Sequence, residues 1–128
     1  MFWGKPSRKY KIAIIDDERE IVEVLTKFLE ARKYEVCSAY GGRSGLDVVR
    51  SENPDLILLD IMMPELNGWD VAAELKKNPE WRDIPIVFLT GVTDSTSKTY
   101  GKIVSAEYIE KPFIIEDLKK KIDIVSRR

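Results

Sequence analysis

Histidine does not occur anywhere in this 128-residue chain. Its absence excludes, within the chain, any mechanism that uses imidazole as base, metal ligand or phosphoryl carrier, and so excludes a Ser-His-Asp triad. Cysteine occurs once, at Cys37, so neither an internal disulfide nor a multi-thiolate metal site can form. A lone thiol suits a reducing cytoplasm and reads as a small buried hydrophobe. No run approaches the ~18 consecutive apolar residues needed to cross a bilayer, and Met1 to Tyr10 lacks the apolar stretch of a signal peptide. A soluble, cytoplasmic protein without membrane contact is expected. Excess charge is also missing: 21 Lys and Arg face 22 Asp and Glu, for a formal net charge of −1. Bulk charge therefore favours neither a phosphate-backbone binder nor an acidic tail, and no direct nucleic-acid binding is expected.

What is present is enough for one core and a solvated surface, with 44% hydrophobic and 34% charged residues. At roughly 150 residues per domain the chain makes one domain. Residues 1–8 carry Gly4 and Pro6 and show no period, so they form an extension, and residues 9–128 form the domain. Phe2 and Trp3 in the extension have the chemistry to dock on a partner, although a loosely packed terminus is the simpler reading.

From Lys11 onward, short apolar runs alternate with amphipathic segments. Lys11 to Ile15, Tyr34 to Ala39, Leu56 to Leu59, Ile86 to Leu89 and Glu107 to Ile109 have the length and composition of strands. Ile-Ala-Ile-Ile, Leu-Ile-Leu-Leu and Ile-Val-Phe-Leu are continuously apolar, as central strands of a parallel sheet covered on both faces should be. Between them, Ile21, Val22, Leu25, Phe28 and Leu29 recur at helical spacing, as do Leu46, Val48 and Val49, then Val71, Ala72 and Leu75. The last segment puts Ile115, Leu118, Ile122 and Val125 on one stripe with Lys119, Lys120 and Lys121 mostly off it, so that lysine run reads as a solvated helix face. Asp94 to Ile103 should hold the fourth helix, but its Ser, Thr and Gly101 are poor helix formers, which predicts a short or mobile element. Five successive β-α units demand parallel pairing with right-handed crossovers. The predicted fold is an α/β, (βα)5 doubly wound three-layer sandwich around a five-stranded parallel sheet.

Ligands of such sheets bind outside the carboxyl ends of the strands. At that edge the chain puts Asp16 and Asp17 after the first strand, Asp60 after the third, Thr90 after the fourth and Lys111-Pro112 after the fifth. Each has an ordinary reading: a turn and helix cap for the Asp pair, loop or turn residues for Asp60 and Thr90, a surface cation for Lys111. Those readings do not explain three carboxylates, a hydroxyl and an ammonium at one sheet edge. Clustered carboxylates raise one another's pKa, and a hard divalent cation such as Mg²⁺ relieves this while leaving positions open for a phosphoryl group. Asp60 would then act as nucleophile, with Lys111 and Thr90 contacting the transferring oxygens.

At these residues the sequence resembles the receiver domain of two-component response regulators, from about Lys9 to Val125. The likeness lies in Ile-Asp-Asp-Glu at 15 to 18, Leu-Leu-Asp-Ile-Met-Met-Pro at 58 to 64, Gly68, Leu-Thr-Gly at 89 to 91 and Tyr-Ile-Glu-Lys-Pro-Phe at 108 to 113. The resemblance implies the flavodoxin-like strand order 2-1-3-4-5. It implies Asp60 as phospho-acceptor, Asp17 as a direct Mg²⁺ ligand, Asp16 as a ligand largely through water and Met62 as a ligand through its backbone carbonyl, with Mn²⁺ as a substitute metal. Lys111 would contact the phosphate, and its bond to Pro112 would be cis. Thr90 and Tyr108 would form a switch pair that reports phosphorylation to the face built by the fourth helix, fifth strand and last helix; Tyr108 also reads as a structural strand-end aromatic.

With no histidine of its own, such a receiver takes its phosphoryl group from a sensor histidine kinase or phosphotransfer protein, and acts on a downstream protein or an effector domain. It would be a monomer or a phosphorylation-dependent dimer, and a signalling switch rather than an enzyme, assisting only its own phosphoryl transfer and dephosphorylation. Ser105 departs from the Gly that often precedes Ala in the turn before the last strand. Met62 and Val92 flank the phosphate position and are apolar, so neither can orient an attacking water, and slow self-hydrolysis is expected. Three other classes fit less well. An aspartyl-phosphate phosphatase needs a second acid where Met62 stands, a phosphorylation-independent binding module would not need the full polar set, and a flavin or nucleotide carrier needs a phosphate-cradling loop where Asp16-Asp17-Glu18 would repel phosphate. The chain stops just after the last helix, which suits either a single-domain regulator or a receiver from a longer protein.

Overall fold

The apolar runs become the middle of a parallel sheet because residues of period two serve both of its faces. The computed structural model describes residues 9–91 and 107–127. Within them β1 (Lys11–Ile15), α1 (Arg19–Ala31), β2 (Glu35–Ala39), α2 (Gly42–Glu52), β3 (Leu56–Asp60), α3 (Gly68–Lys76), β4 (Ile86–Gly91), β5 (Glu107–Lys111) and α4 (Ile115–Ser126) follow one another. The extension, the helix expected at 94–103, Val92 and Ser105 lie outside the described residues.

The strands pair in the order β2-β1-β3-β4-β5, every pair parallel. Alternate strand residues divide the core in two. Ile12, Ile14, Leu56, Leu58, Val87 and Leu89 pack under Val22, Leu25 and Leu29 of α1 and Leu118, Ile122 and Val125 of α4. Ala13, Ile15, Ile57, Leu59 and Phe88 pack on the opposite face with Leu46 and Val49 of α2 and Val71, Ala72 and Leu75 of α3. The three continuously apolar runs are the central strands, as expected, while β2 and β5 form the edges. Lys119 and Lys120 are exposed on α4, with Lys119 3.1 Å from Asp123 and Lys121 3.1 Å from Glu107, which fits a solvated helix face. No helix among the described residues is long and apolar enough to cross a membrane.

Three expectations need correction. Tyr34 lies outside β2, which starts at Glu35. Cys37 is only half-buried, because β2 is an edge strand with no strand beyond it, and burial pushes its thiol up to about 11. The third, fourth and fifth strands run on through Asp60, Gly91 and Lys111, because ladder pairing continues there, with Asp60 opposite Leu89 and Lys111 opposite Gly91. The polar residues thus belong to rigid strand ends.

The turn after Asp60 is held by close backbone contact. Ile61 N–H donates to the Leu89 carbonyl at 3.1 Å and Gly68 N–H to the Ile61 carbonyl at 2.9 Å. A Cβ on Gly68 would collide with the Asp60 carbonyl oxygen and approach Ile61 Cα to 2.8 Å, and both are backbone atoms with little room to yield. Gly68→Ala is therefore expected to destabilise the fold by about 1–3 kcal/mol, seen as a lower urea midpoint; an unchanged midpoint would contradict the close approach.

Candidate functional site

Parallel strands deliver all their carboxyl ends to one edge. Asp60 ends β3, Thr90 and Gly91 end β4 and Lys111 ends β5. Asp16 follows β1 with its N–H donating to the Ala39 carbonyl at 3.1 Å, which extends the β1–β2 ladder by one residue. The fold thereby brings carboxylate oxygens of Asp16, Asp17 and Asp60 within 4.8 Å of one another, with Asp16 and Asp60 buried and Asp17 exposed.

Lys111 closes the cluster. Its ammonium lies 2.9 Å from Asp16 Oδ2, 2.9 Å from Glu18 Oε1 and 3.3 Å from Asp60 Oδ1. The Lys111–Pro112 peptide is cis. Helix capping does not account for the acids: the α1 N-cap residue is Glu18, and its side chain makes no capping hydrogen bond. The ordinary reading survives only in part at Asp16, whose Oδ1 accepts the Glu18 N–H at 2.9 Å in a local turn. Its other oxygen, Oδ2, is buried and accepts no hydrogen bond, so its approach to Lys111 is an ion pair off the hydrogen-bonding direction. The helix that does cap itself is α3, through reciprocal bonds between Asn67 and Asp70.

The electrostatics follow from this crowding. Burial pushes the Asp60 carboxyl up, the neighbouring charge of Asp16 pushes it further, and Lys111 pulls it back only in part, leaving it at about 7. Burial opposes the charge of Lys111, but its contacts with Asp16 and Glu18 and the charges of Asp16 and Asp60 outweigh it and hold the pKa above the ordinary lysine range. Hard oxygen donors, a buried carboxylate oxygen without a hydrogen bond and three ligand atoms from separate side chains fit a hard divalent cation of the Mg²⁺ or Mn²⁺ kind.

The remaining expected residues sit around this cluster. Thr90 is fully buried, one residue beyond the Asp60–Leu89 pair. Met62 is 64% exposed in the turn after β3. Tyr108 does not join the carboxylates: it pairs with Phe88 deeper in the sheet and packs on the α2–α3 side of the core. Period two puts Thr90 on the same face as Phe88, so Thr90 and Tyr108 share a face although they sit at different depths. The contact that sequence reasoning missed is Glu18 with Lys111; a third acid directly after the Asp pair is its only signal in the chain.

A carboxyl whose pKa is raised in the folded state, here from 3.8 to about 7, binds its proton more tightly folded than unfolded. It therefore costs stability progressively as pH rises from about 4 to about 7, and the full cost persists above that range. Asp60→Asn does not titrate and keeps the other two contacts of Lys111. In chelator it should be more stable than wild type by about 1–3 kcal/mol at pH 8 and much less so at pH 5. Urea melts at the two pH values check this, and a less stable variant at pH 8 would contradict it.

Residues 12–123 match the family model described as response regulator receiver domain. The chain is 41% identical over 122 residues to a probable transcriptional regulator ycf27 of Galdieria sulphuraria, covering 94% of this chain and 47% of that protein. It is 39% identical to the protein so named in Porphyridium aerugineum, covering 94% and 50%. The chain thus spans about half the length of the curated relatives it matches. Among solved structures, a putative response regulator from Chloroflexus aurantiacus superposes with a TM-score of 0.87 at 26% identity, covering 94% of this chain and 100% of that one. The Vibrio cholerae chemotaxis protein CheY4 does so with 0.83 at 29% identity, covering 92% and 99%. With the strand order, the acidic pocket and its lysine at the carboxyl edge, these likenesses make one assignment: the chain belongs to the response regulator receiver domain family, the phosphorylation-dependent switch of two-component signalling, and is a signalling module rather than a catalytic enzyme.

Proposed function

We propose that Asp60 is the phospho-acceptor of this receiver and that its donor is the phosphohistidine of a sensor kinase or phosphotransfer protein. An Asp60 carboxylate oxygen attacks phosphorus, the P–N bond to the donor imidazole breaks, and the imidazole leaves with its electron pair and takes up a proton. The observation that carries this reading is the position of Asp60: buried at a strand end beside Asp16, Asp17 and the Lys111 ammonium.

Asp17 and Asp60 would hold a divalent cation, Mg²⁺ or Mn²⁺, directly, with Asp16 acting largely through water and Met62 offering its backbone carbonyl. When bound, such an ion neutralises charge on the phosphoryl oxygens. Lys111 supplies the fixed positive charge on the other side and Thr90 a hydroxyl donor. The bond that Thr90 now makes is weak, 3.4 Å from its Oγ1 to the Gly91 carbonyl, so its hydroxyl is available to a phosphoryl oxygen. Phosphorylation would draw Thr90 inward, and Tyr108, on the same face, would follow and alter the surface beside β5 and α4.

Residues 1–8 act as an extension and 9–128 as the receiver, working in the cytoplasm as a monomer or a phosphorylation-dependent dimer. The output passes to a downstream protein or an attached effector domain; the name transcriptional regulator carried by the longer relatives supports an output in gene regulation through such a segment or partner. Met62 and Val92 carry no group that could orient water, so the phospho-form should be long-lived.

Incubation with Mg²⁺ and acetyl phosphate, read by intact mass, should add one phosphoryl group to wild type and none to Asp60→Asn or to wild type in chelator. After donor removal the added mass should persist longer than in a Met62→Asn, Val92→Glu variant. Addition to Asp60→Asn would overturn the acceptor assignment, and an equal lifetime would overturn the account of hydrolysis.

A further inference from the structure

Glu18 stands at the start of α1, where an acidic side chain ordinarily bonds to free helix N–H groups. It does not do so. Its carboxylate instead crosses the site to Lys111, 93 residues away in sequence, at 2.9 Å. An ammonium has three N–H donors, and three carboxylates surround this one: Asp16, Glu18 and Asp60. A phosphoryl oxygen on Asp60 therefore competes for Lys111 with its hydrogen bonds to Glu18 and Asp60 and its ion pair with Asp16. Two of the partners are buried. The third is the Glu18 side chain, 60% exposed against 15% for Lys111, and an exposed ion pair is the weakest kind.

We propose that Glu18 is a displaceable latch on Lys111: it holds the ammonium at the rim of the site and yields its place when a phosphoryl group arrives. This makes Glu18 a positioning residue that acts through Lys111, and it rests on the assignment of Asp60 and Lys111 above. Two consequences follow. Removing the latch leaves one Lys111 donor facing water, ready for the incoming anion, and it removes a negative charge from the path of an anionic donor. Uptake from a small phosphodonor should then quicken mainly at low donor concentration, as a lower KM rather than a higher maximal rate. In the metal-free protein, the Lys111 ammonium should lose restraint.

The test compares wild type, Glu18→Gln and Glu18→Asp with Glu20→Gln, which removes the same charge from an exposed residue in the first turn of α1. Initial rates of phosphorylation are measured across acetyl phosphate concentrations at saturating Mg²⁺, and the ¹⁵Nζ ammonium signal of Lys111, assigned with a Lys111→Arg variant, is followed in metal-free protein. Glu18→Gln should lower KM about two- to fivefold, the range expected for loss of an exposed ion pair, and shift or broaden the Lys111 signal. Glu18→Asp, one methylene shorter, should fall between, and Glu20→Gln should leave both readings at wild type. An unmoved Lys111 signal in a folded Glu18→Gln protein, or an equal KM change in Glu20→Gln, overturns the latch. Failure of wild type itself to take up a phosphoryl group overturns the Asp60 reading instead, so the two failures are distinguishable.

Discussion

One ammonium and three carboxylates set the terms for this edge of the molecule. Asp16 and Asp60 are buried, Asp17 lies within ligand distance of both, and among the described residues the ammonium in contact with the pair is that of Lys111. Like charges this close cannot all ionise without cost when a single positive group opposes them, and burial first, then the charge of Asp16, raises the pKa of Asp60. A hydrophobic core would not assemble such a cluster for stability. It is tolerated because the sheet beneath is over-determined: both faces are covered, and the three central strands bury nearly every residue that packs on the two helical layers.

The same sheet explains how much could be read from the chain. The runs at Ile12–Ile15, Leu56–Leu59 and Ile86–Leu89 admit few roles other than central parallel strands, and once those are fixed, the residues that end them must share an edge. Asp16, Asp17, Asp60 and Lys111 were legible for that reason. Strand ends were less so, since an apolar run stops at Leu59 while the hydrogen-bond ladder runs on to Asp60; side-chain polarity does not record where backbone pairing ceases. A lone apolar thiol implies burial at Cys37, but its burial is limited by the place of β2 at the sheet edge, which is a property of strand order. Glu18 was the hardest to read: its partner is 93 residues away, and nothing local distinguishes an acid that caps a helix from one that turns back over the site.

Face and depth separate the tasks of the polar residues. Asp60, in step with Leu58, belongs by period two to the α1–α4 side of the sheet, whereas Thr90, in step with Phe88, belongs to the α2–α3 side, where Tyr108 also packs. On the proposed reading the phosphoryl group would therefore be sensed across the sheet edge, by a threonine on one face answering a charge formed on the other. Gly68 supports this economy of space, since its missing side chain lets α3 begin directly against the backbone of Asp60 and Ile61.

The central claim is that the acidic cluster is assembled at a cost that a divalent cation offsets. Thermal melts of wild type and Asp17→Asn across a Mg²⁺ series, from chelator to millimolar ion at constant ionic strength, address it most directly. A ligand that binds only the folded state raises stability in proportion to the logarithm of its concentration above Kd. Wild type should gain stability in that manner while Asp17→Asn stays nearly flat. Parallel responses of the two proteins, or no response of either, would contradict the account.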